Sequence, residues 1–464
     1  MTHTDHYESI PEHYGRLVSL SAPCPDVTLL GFLRYAQGNA RFYWEKAGAR
    51  VAFAGFGTAL ELMAWGENRF AHIQQQAHDL FAESVVLDES APPETTPRLF
   101  GGFAFRDDFV PDNTWSVFTP AQFILPHYQL TQFEGETWLT INAHVPFEEN
   151  PRDLLPELRA ALMARIHSLQ AAQQEPMNAV PLHPTEVNYP MPYATWARNI
   201  TAATSRMKAG ELNKAVLSRV CEIRFEERVD VDSALMYLAD AYAECYRFLF
   251  EPRPYHAFYG ATPELLAGVE GTQVQTMGLA GSIRRGKTAE EDHANAQQLL
   301  HDPKERYEHQ LVVDRVQERL LPLTRELQVS DTGIYRLSNI QHLYTPITGT
   351  LQQAEGVLPV VAALHPTPAL GGDPRDVAMQ VIGDYEPVPR GWYAAPVGWL
   401  DRDLNGEFGV AIRSAVSQEK RVWLYAGAGI VAESDPQKEW DETALKFRPM
   451  LDALGVREKV NIHV

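Results

Sequence analysis

KAVLSRVCEIRF, residues Lys214 to Phe225, alternates with the two-residue period of a β-strand. Ala215, Leu217, Cys221, Ile223 and Phe225 make one apolar face, interrupted by Arg219, and Lys214, Val216, Ser218 and Val220 fall on the other. Working outward, further strands are expected at Ala257 to Tyr259, Gln273 to Met277, Phe408 to Ser414 and Val422 to Ala426. Helical periodicity separates them near Ala289 to Leu300 and Pro303 to Leu321, and a last helix is expected from about Pro436 to Leu454. Towards the N-terminus, strand-like RFYWE (Arg41 to Glu45), VAFAGFG (Val51 to Gly57) and LFGGFAF (Leu99 to Phe105) mix with the helical run LLPELRAALMARIHSL. This mixture predicts an α+β fold rather than regular βαβ alternation.

Two Pro-rich polar stretches punctuate the first half, Glu89 to Arg98 and Gln170 to Pro184. The second is the better boundary and divides the chain into an N-terminal α+β half, residues 1–185, and a second region, residues 186–464.

At 464 residues with 45% hydrophobic side chains, the chain can bury a large core. Its formal net charge of -20 opposes binding to nucleic acid, whose phosphates need clustered Lys and Arg. The same charge requires that any anionic substrate be met by local cations or by a metal. Three cysteines without a CxxC pair suggest neither a disulfide framework nor a zinc site and fit a reducing compartment. The N-terminus lacks the basic and apolar regions of a signal peptide, and no apolar run approaches the ~18 residues of a membrane span. The expectation is a cytoplasmic protein with no membrane partner.

Two glutamate pairs stand out. DPKERYEH places Asp302 at a helix N-cap and Pro303 in the first turn, with Glu305 and Glu308 on one face. Glu305 reads equally as the second half of a capping box. DPQKEWDETALKF repeats the arrangement with Glu439 and Glu442, and Lys446 lies one turn further on. Four carboxylates facing one cleft would offer the hard oxygen donors that Mg2+ prefers. Arg413, on the expected Phe408 to Ser414 strand, and a turn reading YAGAGIV with Gly427 and Gly429 together suit a carboxylate ligand. His342 and His365 have no partner histidine at metal-ligand spacing and read as hydrogen-bonded structural residues, with a pocket-lining role open for His342. Lys214 and Glu264, taken alone, read as a strand lysine reaching solvent and a solvated glutamate after a Thr-Pro turn. Walker, Rossmann and GxSxG motifs are missing from the sequence, so nucleotide cofactors are not supported.

Taken in order, NKAVLSR, GATPELL, GLAGSIRRG, DPKERYEH, QHL, LHPTPALGGDPR, the Ile412-Arg413 strand, AGAGIV and KEWDET resemble the chorismate-utilising enzymes. That family includes isochorismate, salicylate, anthranilate and aminodeoxychorismate synthases. The likeness spans roughly residues 190 to 455, and RFYWE and LFGGFAF add a weaker one to menaquinone-type isochorismate synthases.

The resemblance implies a large antiparallel β-sandwich with helices packed outside, Mg2+ as cofactor, chorismate as substrate, and a monomer. Lys214 stands where water-using members carry lysine and ammonia-using members glutamine, so no glutaminase subunit is expected. Ala280 stands where aminodeoxychorismate synthases often carry a nucleophilic lysine. By the same carry-over Lys214 is the general base and Glu264 the general acid, Glu308 and Glu442 hold Mg2+ directly, and Glu305 and Glu439 act through water or from behind. Tyr393, Arg413, Gly427, Gly429 and Lys446 match positions that contact substrate carboxylates. Gly281 and Ser282 match positions lining the ring, and His342 matches an active-site histidine. His365, where salicylate and anthranilate synthases usually carry phenylalanine, favours an isochorismate synthase, an isomerase. The alternatives are a salicylate synthase, which adds pyruvate elimination, and a chorismate-binding subunit without catalysis.

Overall fold

The computed structural model describes residues 15–88, 90–173 and 180–456. The expected strand at Lys214–Phe225 forms with the boundaries read from the sequence, and its first eight residues are buried on both faces. Arg219 explains the break in its apolar face. That buried guanidinium donates from Nε to Thr443 Oγ1 at 2.7 Å and from Nη2 to Trp440 O at 3.1 Å, on the last helix. A buried charge whose donors are satisfied can sit within an apolar face at tolerable cost.

This strand belongs to a 13-stranded sheet. It runs from Pro184–Asn188 through Lys214–Phe225, Arg421–Ile430, Ser414–Gln418, His256–Thr262 and Tyr246–Arg253, then Arg41–Glu45, Val51–Phe56, Tyr128–Phe133, Glu136–Val145, Arg16–Pro23 and Val85–Val86, while the short Gly372–Asp373 branches off to pair with the start of Lys214–Phe225. Its pairings are antiparallel except for the last, which is parallel. The second sheet, of 10 strands, passes through Thr324–Val329, Ile340–Leu351, Gln273–Arg284, Leu265–Glu270, Gly406–Val410, Pro396–Leu400, Leu99–Phe103, Ala121–Leu125 and Leu60–Ala64, with Gly333–Arg336 branching off Ile340–Leu351.

The period-2 pattern decides which layer each side chain joins. From Arg41–Glu45, Phe42 and Trp44 enter the core between the sheets, and Tyr43 points to the opposite core beneath the outer helices. Between the sheets Phe42 lies against Phe100 with ring centroids 6.3 Å apart, and Phe53 meets Trp399 at 5.2 Å. Leu29–Tyr35, Leu155–Ala172 and Val231–Ala241 cover the other face of the large sheet. The result is the expected α+β sandwich of antiparallel sheets with helices outside. The expected helices appear at Ala289–His301, Pro303–Leu320 and Pro436–Ala453.

Both sheets draw strands from both sides of residue 185. Arg41–Glu45 pairs with Tyr246–Arg253, and Leu99–Phe103 pairs with Pro396–Leu400. The Pro-rich stretch ending at Pro184 falls partly outside the described residues, as does Glu89 of the earlier one, in which Pro93–Thr95 forms a short 3-10 helix.

Two local expectations change. YAGAGIV is not a turn: Tyr425 to Ile430 continue the strand Arg421–Ile430, with Gly427 opposite Ser218 and Gly429 opposite Val216. Arg413 lies outside the strands, because Gly406–Val410 ends before it and Ser414–Gln418 begins after it. At φ 50° it occupies the left-handed region that a branched or long side chain rarely adopts.

Candidate active site

At one end of the sandwich the two sheets and two helices enclose a cleft with about 670 Å³ of empty space, counting the part open to solvent. That is within the ~300–1,000 Å³ usual for small-molecule sites. Val216, Gly427 and Gly429 form the wall given by the large sheet, and Leu279 to Ser282 with His342 form the wall given by the second. The helices Pro303–Leu320 and Pro436–Ala453 contribute Glu308, and Glu442 with Lys446.

Both helices start where the sequence indicates. Asp302 accepts from Lys304 N at 2.9 Å and Glu305 N at 3.0 Å, and Asp435 accepts from Gln437 N and Lys438 N, both at 3.0 Å. Glu305 does not close a capping box. Its Oε2 instead accepts the backbone N–H of Ser282 at 3.1 Å, across to the second sheet. That contact exists because Gly281, at φ 76°, is an extra residue opposite Leu343 and His342, and such a bulge turns the following amide out of the ladder.

Glu264 lines the cleft at the start of the strand Leu265–Glu270, buried, with its N–H donating to Thr262 Oγ1 at 3.2 Å. Burial pushes its carboxyl up to about 8, against the pull of Lys214, Lys446 and Arg413. Lys214 is fully buried and is not on the cleft surface; it stands one layer behind. Its Nζ lies 2.8 Å from Glu308 Oε1, at an angle outside hydrogen-bond geometry, and has no hydrogen-bond partner among the described residues. The reading of Lys214 as a solvated strand lysine is therefore wrong. Gly429 makes the pair possible, since a Cβ there would stand 2.3 Å from Glu308 Oε1 and 3.0 Å from Lys214 Cε.

On the opposite side Arg413 Nη2 donates to His342 Nε2 at 2.7 Å. A guanidinium cannot accept, so His342 carries its proton on Nδ1 and directs it to Gly281 O at 3.3 Å. Burial, then Arg413 and Lys446, hold the imidazole neutral, well below its ordinary value. Arg413 Nη1 is buried and unpartnered on the cleft wall, which suits an incoming carboxylate. Lys446 Nζ donates to Gly427 O at 2.9 Å and lies 2.7 Å from Glu442 Oε1. Tyr393 lines the cleft and stacks on Tyr425 with centroids 5.1 Å apart.

The four glutamates converge, though Glu305 and Glu439 stand behind the cleft surface. Burial and the neighbouring Glu308 raise Glu305, while burial and Glu442 push Glu439 up to about 7. Glu442 is held below its ordinary value: burial opposes this, and Lys446, Lys304 and the Ser282 hydroxyl at 3.1 Å together outweigh it. Among the described residues no three His, Cys, Asp or Glu side chains form a group able to hold a metal. Lysines are interposed instead, and Lys304 Nζ bridges Glu439 Oε1 at 3.2 Å and Glu305 Oε1 at 3.4 Å. The donor chemistry nonetheless fits Mg2+, which needs only one or two protein carboxylates and keeps several waters.

Sequence reasoning missed the apolar wall formed by Leu279, Ala369, Leu370 and Ile412, although Ala369 and Leu370 belong to LHPTPALGG. His365, in the same stretch, does not line the cleft; it is buried with Nε2 3.1 Å from Phe105 O, a structural contact to LFGGFAF. The three cysteines are free and buried.

A carboxyl that burial keeps protonated and an unpartnered guanidinium on the wall of one cleft suit a small anionic ligand. The chain belongs to the family described as chorismate binding enzyme, whose model matches residues 6–455. It is 34% identical over 457 residues to the isochorismate synthase MenF of Bacillus subtilis, covering 96% of this chain and 94% of that one. It is 36% identical over 414 residues to the salicylate biosynthesis isochorismate synthase of Pseudomonas aeruginosa, covering 89% and 84%. Among solved structures, the menaquinone-specific isochorismate synthase MenF of Escherichia coli superposes with a TM-score of 0.78 at 25% identity, over 95% of this chain and 96% of that one. Anthranilate synthase component I of Streptococcus pneumoniae shares the fold, with a TM-score of 0.68 at 20% identity over 88% and 93%.

Proposed function

We propose that this protein is an isochorismate synthase that converts chorismate to isochorismate in menaquinone biosynthesis, with Lys214 as base and Glu264 as acid. Glu264 carries the reading: a carboxyl on the cleft wall that keeps its proton up to about pH 8 can give it to a leaving hydroxyl at neutral pH. In the reaction Lys214 Nζ, acting as its neutral amine, takes a proton from the water that adds to C2. The ring double bonds shift, and the C4 hydroxyl departs with the proton of Glu264. One water enters and one leaves, so the net change is an isomerisation.

Arg413, through Nη1, and Lys446 hold the substrate carboxylates. His342 orients Arg413 by accepting from Nη2, and Gly281 and Ser282 with the apolar wall flank the ring. Glu308 and Glu442 would hold Mg2+, with Glu305 and Glu439 behind them, and the ion would neutralise the ring carboxylate in a chain of net charge -20. The protein works as a cytoplasmic monomer without a glutaminase partner. In support, no helix among the described residues is long and apolar enough to cross a membrane, and lysine rather than glutamine stands at position 214.

Chromatography of the products formed from chorismate and Mg2+ tests the assignment, with isochorismate as the expected product. Salicylate and pyruvate as main products, or chorismate binding with no turnover, would overturn it. Ammonia should leave the product unchanged, size-exclusion chromatography should give one chain, and the gene should restore menaquinone to a strain that lacks an isochorismate synthase.

A further inference from the structure

Three lysines neutralise the glutamate cluster, and they are not equivalent. Lys214 is locked, with its side chain 1% exposed and packed against Gly429. Lys446 is anchored by its bond to Gly427 O. Lys304 has no such anchor. Among the described residues its ammonium pairs with carboxylates alone, Glu439 at 3.2 Å and Glu305 at 3.4 Å, and its side chain remains 30% exposed. It also lines a second, solvent-facing groove with Asn213, Asp302 and Glu433 beside Met207, Leu212 and Ala432, so the side chain has open space to move into.

We propose that Lys304 is a tethered counter-ion that occupies the carboxylate cluster until a divalent cation displaces it. Without a cation among them the four carboxylates, of which Glu308 and Glu439 are buried, would repel one another. A lysine on the rim satisfies that need with a charge that is never lost to solvent. The cost is competition, because the metal must expel the ammonium from Glu305 and Glu439 before those side chains can support it. Lys304 is thus a positioning residue, not a catalytic one, and it sets the metal concentration at which the cluster fills. The proposal rests on the four glutamates being the metal site.

Mn2+ binding to the protein without chorismate, followed by the electron paramagnetic resonance signal of the free ion, reads this directly. Lys304→Gln and Lys304→Met should each tighten Mn2+ binding about tenfold, the effect expected when a unit charge is removed from the immediate surroundings of a divalent ion. Lys438→Gln removes an equal charge beside Glu439 from an exposed position, and should stay within about twofold of the parent, as expected for a solvent-screened charge. Unchanged or weaker binding in both Lys304 variants overturns the proposal, as does equal tightening by Lys438→Gln. Glu442→Gln separates the two levels: if it binds Mn2+ as well as the parent, the metal site itself is misassigned and the proposal falls with it. If Glu442→Gln binds weakly while the Lys304 variants match the parent, only the role of Lys304 fails.

Discussion

Glu264 and Lys214 show how burial converts common residues into chemical groups. Glu264 has a folded value of about 8, raised mainly by burial, against an ordinary 4.5. It is therefore neutral below about pH 8, and kcat should fall as pH rises through that value and the acid is lost. Glu264→Gln, which has no acidic proton to give, should abolish turnover and the alkaline limb with it; a retained limb would assign it to another group. Between pH 4.5 and 8 the folded chain holds a proton that the unfolded chain releases, so the contribution of this group to stability declines across that window as pH rises. Lys214→Ala should lower kcat about 10³-fold, within the usual range for a lost acid-base group, and leave chorismate affinity nearly intact by calorimetry. Undiminished turnover would remove Lys214 from the mechanism. The identities of both residues were legible in the motifs. Their burial was not, nor was the Lys214–Glu308 contact, because nothing local to NKAVLSR or DPKERYEH specifies what lies across the cleft.

At the scale of the element, the informative residue is Gly429. Its sequence context suggested a turn, yet it is a strand residue whose missing Cβ leaves room for Glu308 and Lys214. Gly429→Ala would press on the ends of two side chains rather than on backbone, chiefly the Glu308 carboxylate, so the melting temperature should change little. The misplaced Glu308 should nevertheless cost turnover, about 10²-fold for a displacement near 1 Å. Loss of folding with proportionate loss of activity would instead make the glycine structural. The helices were read more accurately. Asp302 and Asp435 cap them as the Asp-Pro dipeptides indicate, because a cap is a local contact between residues two or three apart.

On the scale of the whole molecule, the cleft needs both sheets, and both sheets need the chain on either side of residue 185. The pairings Arg41–Glu45 with Tyr246–Arg253 and Leu99–Phe103 with Pro396–Leu400 cross that position, and Phe42, Phe53 and Phe100 fill the core between. Residues 186–464 produced alone would expose this apolar surface and two open strand edges. The expected outcome is an insoluble or dye-binding fragment without cooperative unfolding by circular dichroism. A soluble, cooperatively folding fragment would show that the second region is a domain in its own right.

The sequence alone determined the strand at Lys214–Phe225, the positions and caps of the main helices, and the family, since these rest on periodicity, on short-range hydrogen bonds and on an ordered set of motifs. Only the tertiary structure decided that Glu264 is buried enough to stay protonated, that Arg413 keeps a free donor over a neutral His342, and that Lys304 stands among the glutamates. Those properties depend on desolvation and on charges brought together from distant parts of the chain, such as Arg413 with His342 and Lys304 with Glu439, and neither is encoded in any single stretch.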